Sequence, residues 1–186
     1  MQSLCEPCGT RVNEAFIDDF LRLVDEAAAR MLVIEDEEAS RPRAAGKWSR
    51  KEIVGHLIDS AVNNHARFVR ATLEGDLVFD GYDQDGWVRA QRYQERDWPA
   101  LVRGWRTYNR QIAEIMRGTP GSDLTRARHR HNLHEIAFRT PPADSAATLR
   151  YLMEDYVAHL QHHVRQVLEA EQPVSATAPE SVGVQD

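Results

Sequence analysis

The stretch W-S-R-K-E-I-V-G-H-L-I-D-S, residues 48–60, decides how the middle of the chain folds. Ser49 is followed three residues later by Glu52, the spacing of a capping box, in which two side chains satisfy backbone N–H groups at a helix N-terminus. From Ile53 onward, apolar residues recur at three- and four-residue steps, the period of an amphipathic helix. The sequence therefore predicts a helix that begins after Ser49 and ends near Gly75.

Three more segments show the helical period. The first covers residues 12–34. The next opens at Asp97, whose side chain is suited to an N-cap, and stops at Gly118. For the last helix, Ser145 is the predicted N-cap and Ala170 the predicted end.

Two long connections, residues 76–97 and 122–147, separate the later helices. Because no segment shows the two-residue alternation of a strand, the sequence predicts an all-α fold. Four helices with long crossover connections are typical of a four-helix bundle. We expect one domain over residues 12–171, between a flexible N-terminal tail, residues 1–11, and a disordered C-terminal tail, residues 172–186.

The amino-acid composition argues against several classes of function. The 186 residues are 42% hydrophobic and 28% charged, as in an ordinary soluble domain, and the net charge is −6. An acidic chain is unsuited to nucleic acid, whose phosphates require a basic surface. No apolar run reaches the length of a membrane span, and the polar start lacks the features of a signal peptide. We therefore expect a cytoplasmic protein that binds neither nucleic acid nor membrane.

Cys5 and Cys8 form a C-x-x-C near the start of the chain. A redox motif is expected after a strand, and a structural zinc site requires two more ligands nearby. Neither context is visible, so we interpret the pair as incidental thiols in the N-terminal tail.

The most informative residues are histidines of the last helix. His159 and His163 are four residues apart, so both imidazoles project from one helix face, a common way to offer two nitrogen ligands to a metal. His162 lies about 100° away from His163 around the helix axis and is expected to point toward water. A pair of surface histidines has the same spacing and stays an alternative.

A third histidine lies on the second helix. His56, Ser60, Asn63 and Arg67 form one stripe along the edge of its apolar face. Buried polar residues require partners, because burial without them is costly. If this edge meets the edge of the last helix that carries the histidine pair, three imidazoles converge on one metal. A core or surface role for His56 is the alternative.

Metal-binding histidines usually donate their second ring nitrogen to a nearby acceptor. Asp59 follows His56 by three residues, and Gln166 lies on the same side of the last helix as His163. We therefore predict that Asp59 and Gln166 orient the ligands.

A second cluster, His129, His131 and His134 with Glu135, lies in the connection before the last helix. It can build a separate site, or His134 can approach the first one. The competing interpretation is a solvated basic loop, since connections are generally polar and exposed.

Two sequence motifs resemble those of a known protein family. W-S-x-x-E-I-V-G-H-L-I-D-S, residues 48–60, resembles the second-helix motif of the DinB-like superfamily. Y-V-A-H-L-Q-H-H-V-R-Q, residues 156–166, is similar to its last-helix motif. The resemblance covers roughly residues 12–170. The N-terminal C-x-x-C is not part of the family pattern.

Within that superfamily, the similarity is greatest to a branch of metal-dependent hydrolases and bacillithiol transferases. In this branch asparagine and an Arg-Phe pair follow the first histidine, here as Asn63, Asn64, Arg67 and Phe68. The segment of residues 82–87 is also similar.

The resemblance implies a bundle with up-down-down-up connectivity, a metal site of three histidines and a homodimer. The ligands correspond to His56, His159 and His163, the residues that the helical wheels select. Relatives that use bacillithiol or mycothiol imply two partners, a small-molecule thiol and an electrophilic substrate.

Candidate substrate-binding residues surround this histidine set. Asn63, Arg67 and Tyr156 lie on the same two helices. From charge alone, Arg67 and the basic patch of residues 126–130 can bind a carboxylate of a thiol cofactor.

Three neutral imidazoles leave coordination positions open, as in catalytic metal sites. A divalent metal can activate a water for hydrolysis or a thiol for transfer. No H-E-x-x-H glutamate or Ser-His-Asp arrangement supplies a general base, which favours thiol transfer over hydrolysis. A non-catalytic metal-binding helical dimer is the third interpretation. We expect one divalent metal per chain, zinc or nickel first, with iron, copper and manganese as further candidates.

Overall fold

Four long helices carry the structure, a computed structural model that describes residues 9–169, with side chains from residue 14. They are α1 (Gly9–Met31), α3 (Arg50–Glu74), α5 (Trp98–Gly118) and α8 (Leu149–Leu168). The connections contain the short helices α2 (Asp36–Ser40), α4 (Gln84–Ala90), α6 (Gly121–Thr125) and α7 (Leu133–Ile136), and a 3-10 turn (Tyr93–Glu95). Within residues 9–169 there is no β-strand, so the all-α prediction is confirmed.

The helix caps follow from the local sequence. The Ser49 backbone N–H donates to Glu52 Oε2 at 2.8 Å, and Ser49 Oγ accepts from the Glu52 N–H at 3.2 Å. Gly75 ends α3 in the left-handed region, at a φ of 87°, where glycine carries no steric penalty. The Asp97 carboxylate caps α5 by accepting from the Ala100 N–H at 2.8 Å. The predicted bounds of both helices are confirmed.

The predicted bounds of two helices are wrong. Helix α1 spans Gly9–Met31, so it begins and ends three residues before the predicted bounds of residues 12 and 34. Helix α8 begins at Leu149, with Thr148 and not Ser145 as its N-cap. The cause is a long-range pairing, because Ala147 exchanges two backbone hydrogen bonds with Arg128, at 2.8 and 3.0 Å, which keeps this part of the chain extended. Cys5, Cys8 and residues 172–186 lie outside the described residues.

Contacts at the helix ends establish the direction of each helix. Trp98 Nε1, at the start of α5, donates to the carbonyl of Met31, at the end of α1, so these helices are antiparallel. The Asp36 carboxylate accepts from Lys51 Nζ at 2.9 Å and from the Trp98 N–H at 3.0 Å, which places the starts of α3 and α5 at the same end. Helices α3 and α5 therefore run parallel.

Helix α8 completes the bundle against α1 and α3. Arg50 Nε, at the start of α3, donates to the carbonyl of Val167, at the end of α8, at 2.9 Å, so α3 and α8 are antiparallel. The connectivity is up-down-down-up. None of the helices within residues 9–169 is long and apolar enough to cross a membrane.

The core lies between the four long helices. Its largest fully buried side chains include Phe20, Phe68, Trp105 and Met116. Burying a side chain of this size contributes about 1.5–3 kcal/mol, so the buried residues together supply the main driving force for packing the helices. The packing positions α3 and α8 so that their polar edges face each other.

Candidate metal centre

Three histidines meet where α3 crosses α8. His56 comes from α3, while His159 and His163 come from α8, and their ligand nitrogens all lie within 4.8 Å of one another. The Nε2 atoms of His56 and His159 are 3.2 Å apart. Two imidazole nitrogens at about 2.0–2.1 Å from a tetrahedral zinc are separated by roughly 3.3 Å, so the spacing fits a single metal ion. Among the described side chains this is the one group of three or more residues that can hold a metal.

Gln166 orients one member of the group. His163 Nδ1 lies 2.9 Å from Gln166 Oε1, and Gln166 Nε2 lies 3.0 Å from His162 Nε2. An amide oxygen accepts only, so His163 carries its proton on Nδ1 and leaves Nε2 free as a ligand. Ser60 Oγ lies 3.5 Å from His159 Nδ1, which makes it a weaker partner.

Asp59 does not hold His56 as expected. One oxygen of the Asp59 carboxylate accepts from the Tyr93 hydroxyl at 2.7 Å and from Gln91 Nε2. Its other oxygen and His56 Nδ1 are both buried without a hydrogen-bond partner. The carboxylate is engaged instead by Gln91 and Tyr93, which belong to the connection after α3. The helix period of α3 does not reveal where that connection lies.

The electrostatics favour neutral imidazoles. Burial lowers the pKa of His56 to about 4, with a further contribution from the nearby His163. Burial and the neighbouring histidines lower the pKa of His159 to about 3. The pKa of His163 is also lowered by burial, against the opposing hydrogen bond from Gln166. All three rings are thus in the form that offers a lone pair to a metal near neutral pH.

An open cavity of about 400 Å³, here called the first cavity, leads to His159 and His163. Residues of α3, α8 and the connections line this cavity, among them Arg67, Tyr82 and Phe138. The Phe138 ring lies 5.6 Å from His159, between ring centres, although nearly half of the Phe138 side chain is exposed. The first cavity is therefore an access route that ends at the histidines.

His162 also lines the first cavity. Its ring is half-buried and lies 5.4 Å from Phe138, between ring centres. His162 is thus on the side of α8 that faces the open first cavity, next to Phe138 from the preceding connection. His162 does not belong to the group of converging ligand nitrogens.

The other predicted site residues differ in placement. Arg67 lines the first cavity and donates to the carbonyl of Asp80 at 3.0 Å. Tyr156 is buried at the base of the first cavity, where its hydroxyl donates to Asn109 Oδ1 at 2.6 Å. Asn63 instead donates to the Asp59 carbonyl one turn earlier in α3.

Several lining residues were not among the predicted site residues. Asn64 lines the first cavity in the role expected of its neighbour, and Tyr82, Glu135, Phe138 and Asp155 join it. Burial raises the pKa of Tyr82 to about 12, so its hydroxyl is a proton donor at neutral pH. Three of these residues come from connections, which carry no helical period. Only the resemblance around residues 82–87 and the second histidine cluster, which includes Glu135, pointed to any of them.

The second histidine cluster does not join the first. His131 is buried, with Nε2 2.7 Å from the Ser145 carbonyl and Nδ1 accepting from the Leu133 N–H at 3.3 Å. Both nitrogens are therefore used to hold the connection. His129 is exposed, as the solvated-loop interpretation predicts, and His134 lies 3.5 Å from the carboxylate of the adjacent glutamate.

The basic patch of residues 126–130 is partly structural. Arg128 is buried and donates to the carbonyls of Gly75 at 2.7 Å and Ala71 at 3.3 Å, which satisfies the C-terminus of α3. Arg126 and Arg130 pair with neighbouring aspartates. Only Arg128 is thus committed to the fold; a carboxylate site at Arg126 and Arg130 stays a prediction.

Known proteins are similar to this chain in sequence and fold. The family model of the DinB superfamily matches residues 17–167. Two similar proteins are both named "Putative metal-dependent hydrolase". YfiT of Bacillus subtilis is 21% identical over 156 residues, 82% of each chain, and one from Bacillus pumilus is 24% identical over 160 residues, 84% of this chain and 83% of that one.

The solved structure of Bacillus subtilis YfiT, described as an unusual four-helix bundle, superimposes with a TM-score of 0.63 at 20% identity. It covers 81% of this chain and 83% of that one. The shared fold, together with a family match that spans all four long helices, leads to one conclusion: the chain belongs to the DinB superfamily.

Proposed function

We propose that the protein is a divalent-metal-dependent enzyme that transfers a low-molecular-weight thiol to an electrophilic substrate. The observation that carries the proposal is the group of three neutral histidines, two of which, His159 and His163, line an open cavity. Three protein ligands are typical of catalytic sites, whereas structural zinc sites use four. The names of the relatives support metal dependence, and the thiol is our own extension.

His56, His159 and His163 would hold the metal. A divalent ion bound there supplies positive charge that lowers the pKa of a neighbouring thiol or water. We propose zinc and nickel first, since imidazole ligands suit both metals. Imidazole also suits iron and copper, whereas nitrogen ligands favour manganese less.

The carboxylates near the histidines favour a thiol over water as the nucleophile. Both oxygens of Asp155 accept backbone N–H groups, from Phe138 at 2.9 Å and Arg139 at 2.7 Å. Asp59 is engaged by Tyr93, so neither carboxylate is poised to accept a proton from water. A thiol has an ordinary pKa of about 8.5 and loses its proton far more readily than water, so no general base is required.

The reaction is balanced without a further reactant. The thiol proton passes to solvent, the sulfur–carbon bond forms, and the leaving group departs with the electron pair of the broken bond. The first cavity contributes Phe138 and Tyr82 as an aromatic wall for the electrophile and Arg67 for an anionic substituent. These residues bind and orient, which brings the reactants to the histidines in a productive geometry.

A metal-dependent hydrolase is the second candidate. The relatives carry that name, and Glu135 lines the first cavity with a largely exposed carboxylate that has room to accept a proton from water. Glu135→Gln separates the two candidates, since it should abolish hydrolysis and spare thiol transfer.

Metal content and turnover test the proposal together. We expect about one metal per chain in the wild type, loss in His56→Ala and His163→Ala, and retention in His129→Ala, an exposed histidine outside the group. Zinc- and nickel-loaded protein would be assayed for conjugation of small thiols to monochlorobimane and for hydrolysis of p-nitrophenyl acetate without thiol. Conjugation that disappears in His56→Ala supports thiol transfer. Hydrolysis alone favours the hydrolase, and bound metal without turnover of either probe contradicts both and leaves a metal-binding bundle.

A further inference from the structure

A second cavity, of about 580 Å³, also reaches the histidine group. His163 lines both cavities, and Gln166 lines the second one beside it. Arg43, Lys47 and Trp48, from the connection before α3, form the other wall. The histidines are therefore reached from two separately lined spaces.

The positive charges in the second cavity are only partly paired with carboxylates. The Lys47 ammonium is exposed and forms no ion pair with any side chain of residues 14–169. Arg43 Nε is buried without a hydrogen-bond partner, and its guanidinium pairs with Glu169 at the long distance of 3.6 Å. A guanidinium has five donors and cannot lose its charge, so the partly exposed Arg43, with donors left unused, suits an anion. Asp85 lines the cavity as the one opposing carboxylate, and it is exposed.

The local backbone brings these groups toward the histidines. Gly46 adopts a φ of 70°, and the Lys47 N–H donates to the Ala44 carbonyl at 3.0 Å, which makes a tight turn. Trp48 follows, and its ring lies 5.1 Å from that of His56, between ring centres. The wall that carries the two cations is thus continuous with a histidine of the group.

We propose that the second cavity is a subsite for the carboxylate end of the thiol substrate, bound by Arg43 and Lys47, while the first cavity receives the electrophile. This inference rests on the proposed function. Thiol transfer requires two reactants at one centre at the same time, and two cavities that share His163 satisfy that requirement without overlap.

Succinate, a dicarboxylate without a thiol, is the probe. It would be titrated into full-length, zinc-loaded, ¹⁵N-labelled protein and followed by the amide signals of Gly46, which lines the second cavity, and Gly81, which lines the first. We expect a saturable shift of Gly46 and of the Trp48 indole, with little change at Gly81. Arg43→Gln and Lys47→Gln should each weaken binding roughly tenfold, the loss of one charge-assisted contact.

The controls distinguish this subsite from its alternatives. Arg103→Gln removes the same charge from the exposed face of α5 and should leave binding unchanged. Succinate binding should survive His56→Ala, so it can hold even where thiol transfer fails. Binding that is lost in Arg67→Gln but kept in Arg43→Gln, or no saturable shift of Gly46 at all, would overturn the proposal.

Discussion

At the scale of single residues, the site depends on contacts made behind the histidines. Gln166 accepts from His163 Nδ1, while His56 Nδ1 has no partner. Gly55, the residue before His56, allows the Tyr93 ring to approach the backbone of α3 closely. A Cβ at this position would lie 2.1–2.2 Å from ring atoms of Tyr93. The geometry of the ligands therefore depends on side chains that never touch a metal.

Gln166→Ala should weaken zinc binding by about 10–100-fold, because His163 loses the acceptor that fixes its tautomer and ring orientation. Competition with a chromophoric chelator measures this affinity. Gln161→Ala, an exposed position on the same helix, is the matched control. An unchanged affinity in Gln166→Ala would show that the hydrogen bond does not position His163.

Gly55→Ala should lower the free energy of unfolding by about 1–3 kcal/mol, since the added methyl overlaps the Tyr93 ring and forces it to move. Chemical denaturation measures the change. Gly104→Ala on α5 is the control, because nothing lies within 4 Å of a Cβ added there and alanine favours a helix over glycine by up to about 1 kcal/mol. The two substitutions should therefore change the free energy of unfolding in opposite directions. Equal changes would contradict the close contact between Gly55 and Tyr93.

At the scale of helices, the bundle is held by apolar packing inside and by ion pairs at its surface. Asp25 on α1 accepts from Arg106 Nε at 2.7 Å and from Arg110 Nη1 at 2.8 Å, both on α5. These arginines hold the pKa of Asp25 below its usual value, against the weaker effect of burial. The pair of contacts joins two antiparallel helices far from the histidines.

Asp25→Asn should lower the free energy of unfolding at pH 7 by about 0.5–1 kcal/mol, a small effect because the carboxylate is more than one-third exposed. The folded-state pKa lies below the unfolded value, so the contribution is present above about pH 4 and is lost as the pH falls through the folded-state pKa. Urea unfolding of both proteins between pH 7 and pH 2.5 tests this.

Asp19→Asn is the control for this effect, since Asp19 pairs with Arg22 within α1 and joins no second helix. We expect it to change stability less than Asp25→Asn does. A difference between the wild type and Asp25→Asn that grows toward low pH would refute the assigned direction of the pKa.

At the scale of the whole molecule, the candidate metal centre links helices that are distant in the chain. His56 and His159 are 103 residues apart, yet their Nε2 atoms lie 3.2 Å from each other. A metal bound between α3 and α8 would hold two of the four long helices together. Metal occupancy and the stability of the fold should therefore be coupled.

Zinc at about 100 times its Kd should raise the free energy of unfolding by roughly 2.7 kcal/mol, and the Tm by about 5–10 °C for a chain of this size. Differential scanning calorimetry with zinc, and after treatment with a chelator, measures the shift. His56→Ala is expected to show none. An equal shift in His56→Ala would place the stabilising zinc elsewhere.

The homodimer implied by the family resemblance stays a prediction. One chain has a mass of 21.2 kDa, so light scattering after size-exclusion chromatography should give about twice that value. A mass of one chain at micromolar concentration would contradict it.

Local sequence alone determined the helices that carry their own signals. The capping box at Ser49, the left-handed glycine at residue 75 and the cap at Asp97 are decided by hydrogen bonds within a few residues. The same periodicity singled out His56, His159 and His163, because a helix places residues four apart on one face.

Tertiary structure decided what depends on contacts between distant segments. Helix α8 starts at Leu149, later than predicted, because Ala147 pairs with Arg128. Asp59 accepts a hydrogen bond from Tyr93 and not from His56. Phe138 reached the histidines from a connection whose path no period describes. Helix periodicity specifies which residues share a face, whereas only packing specifies what that face meets.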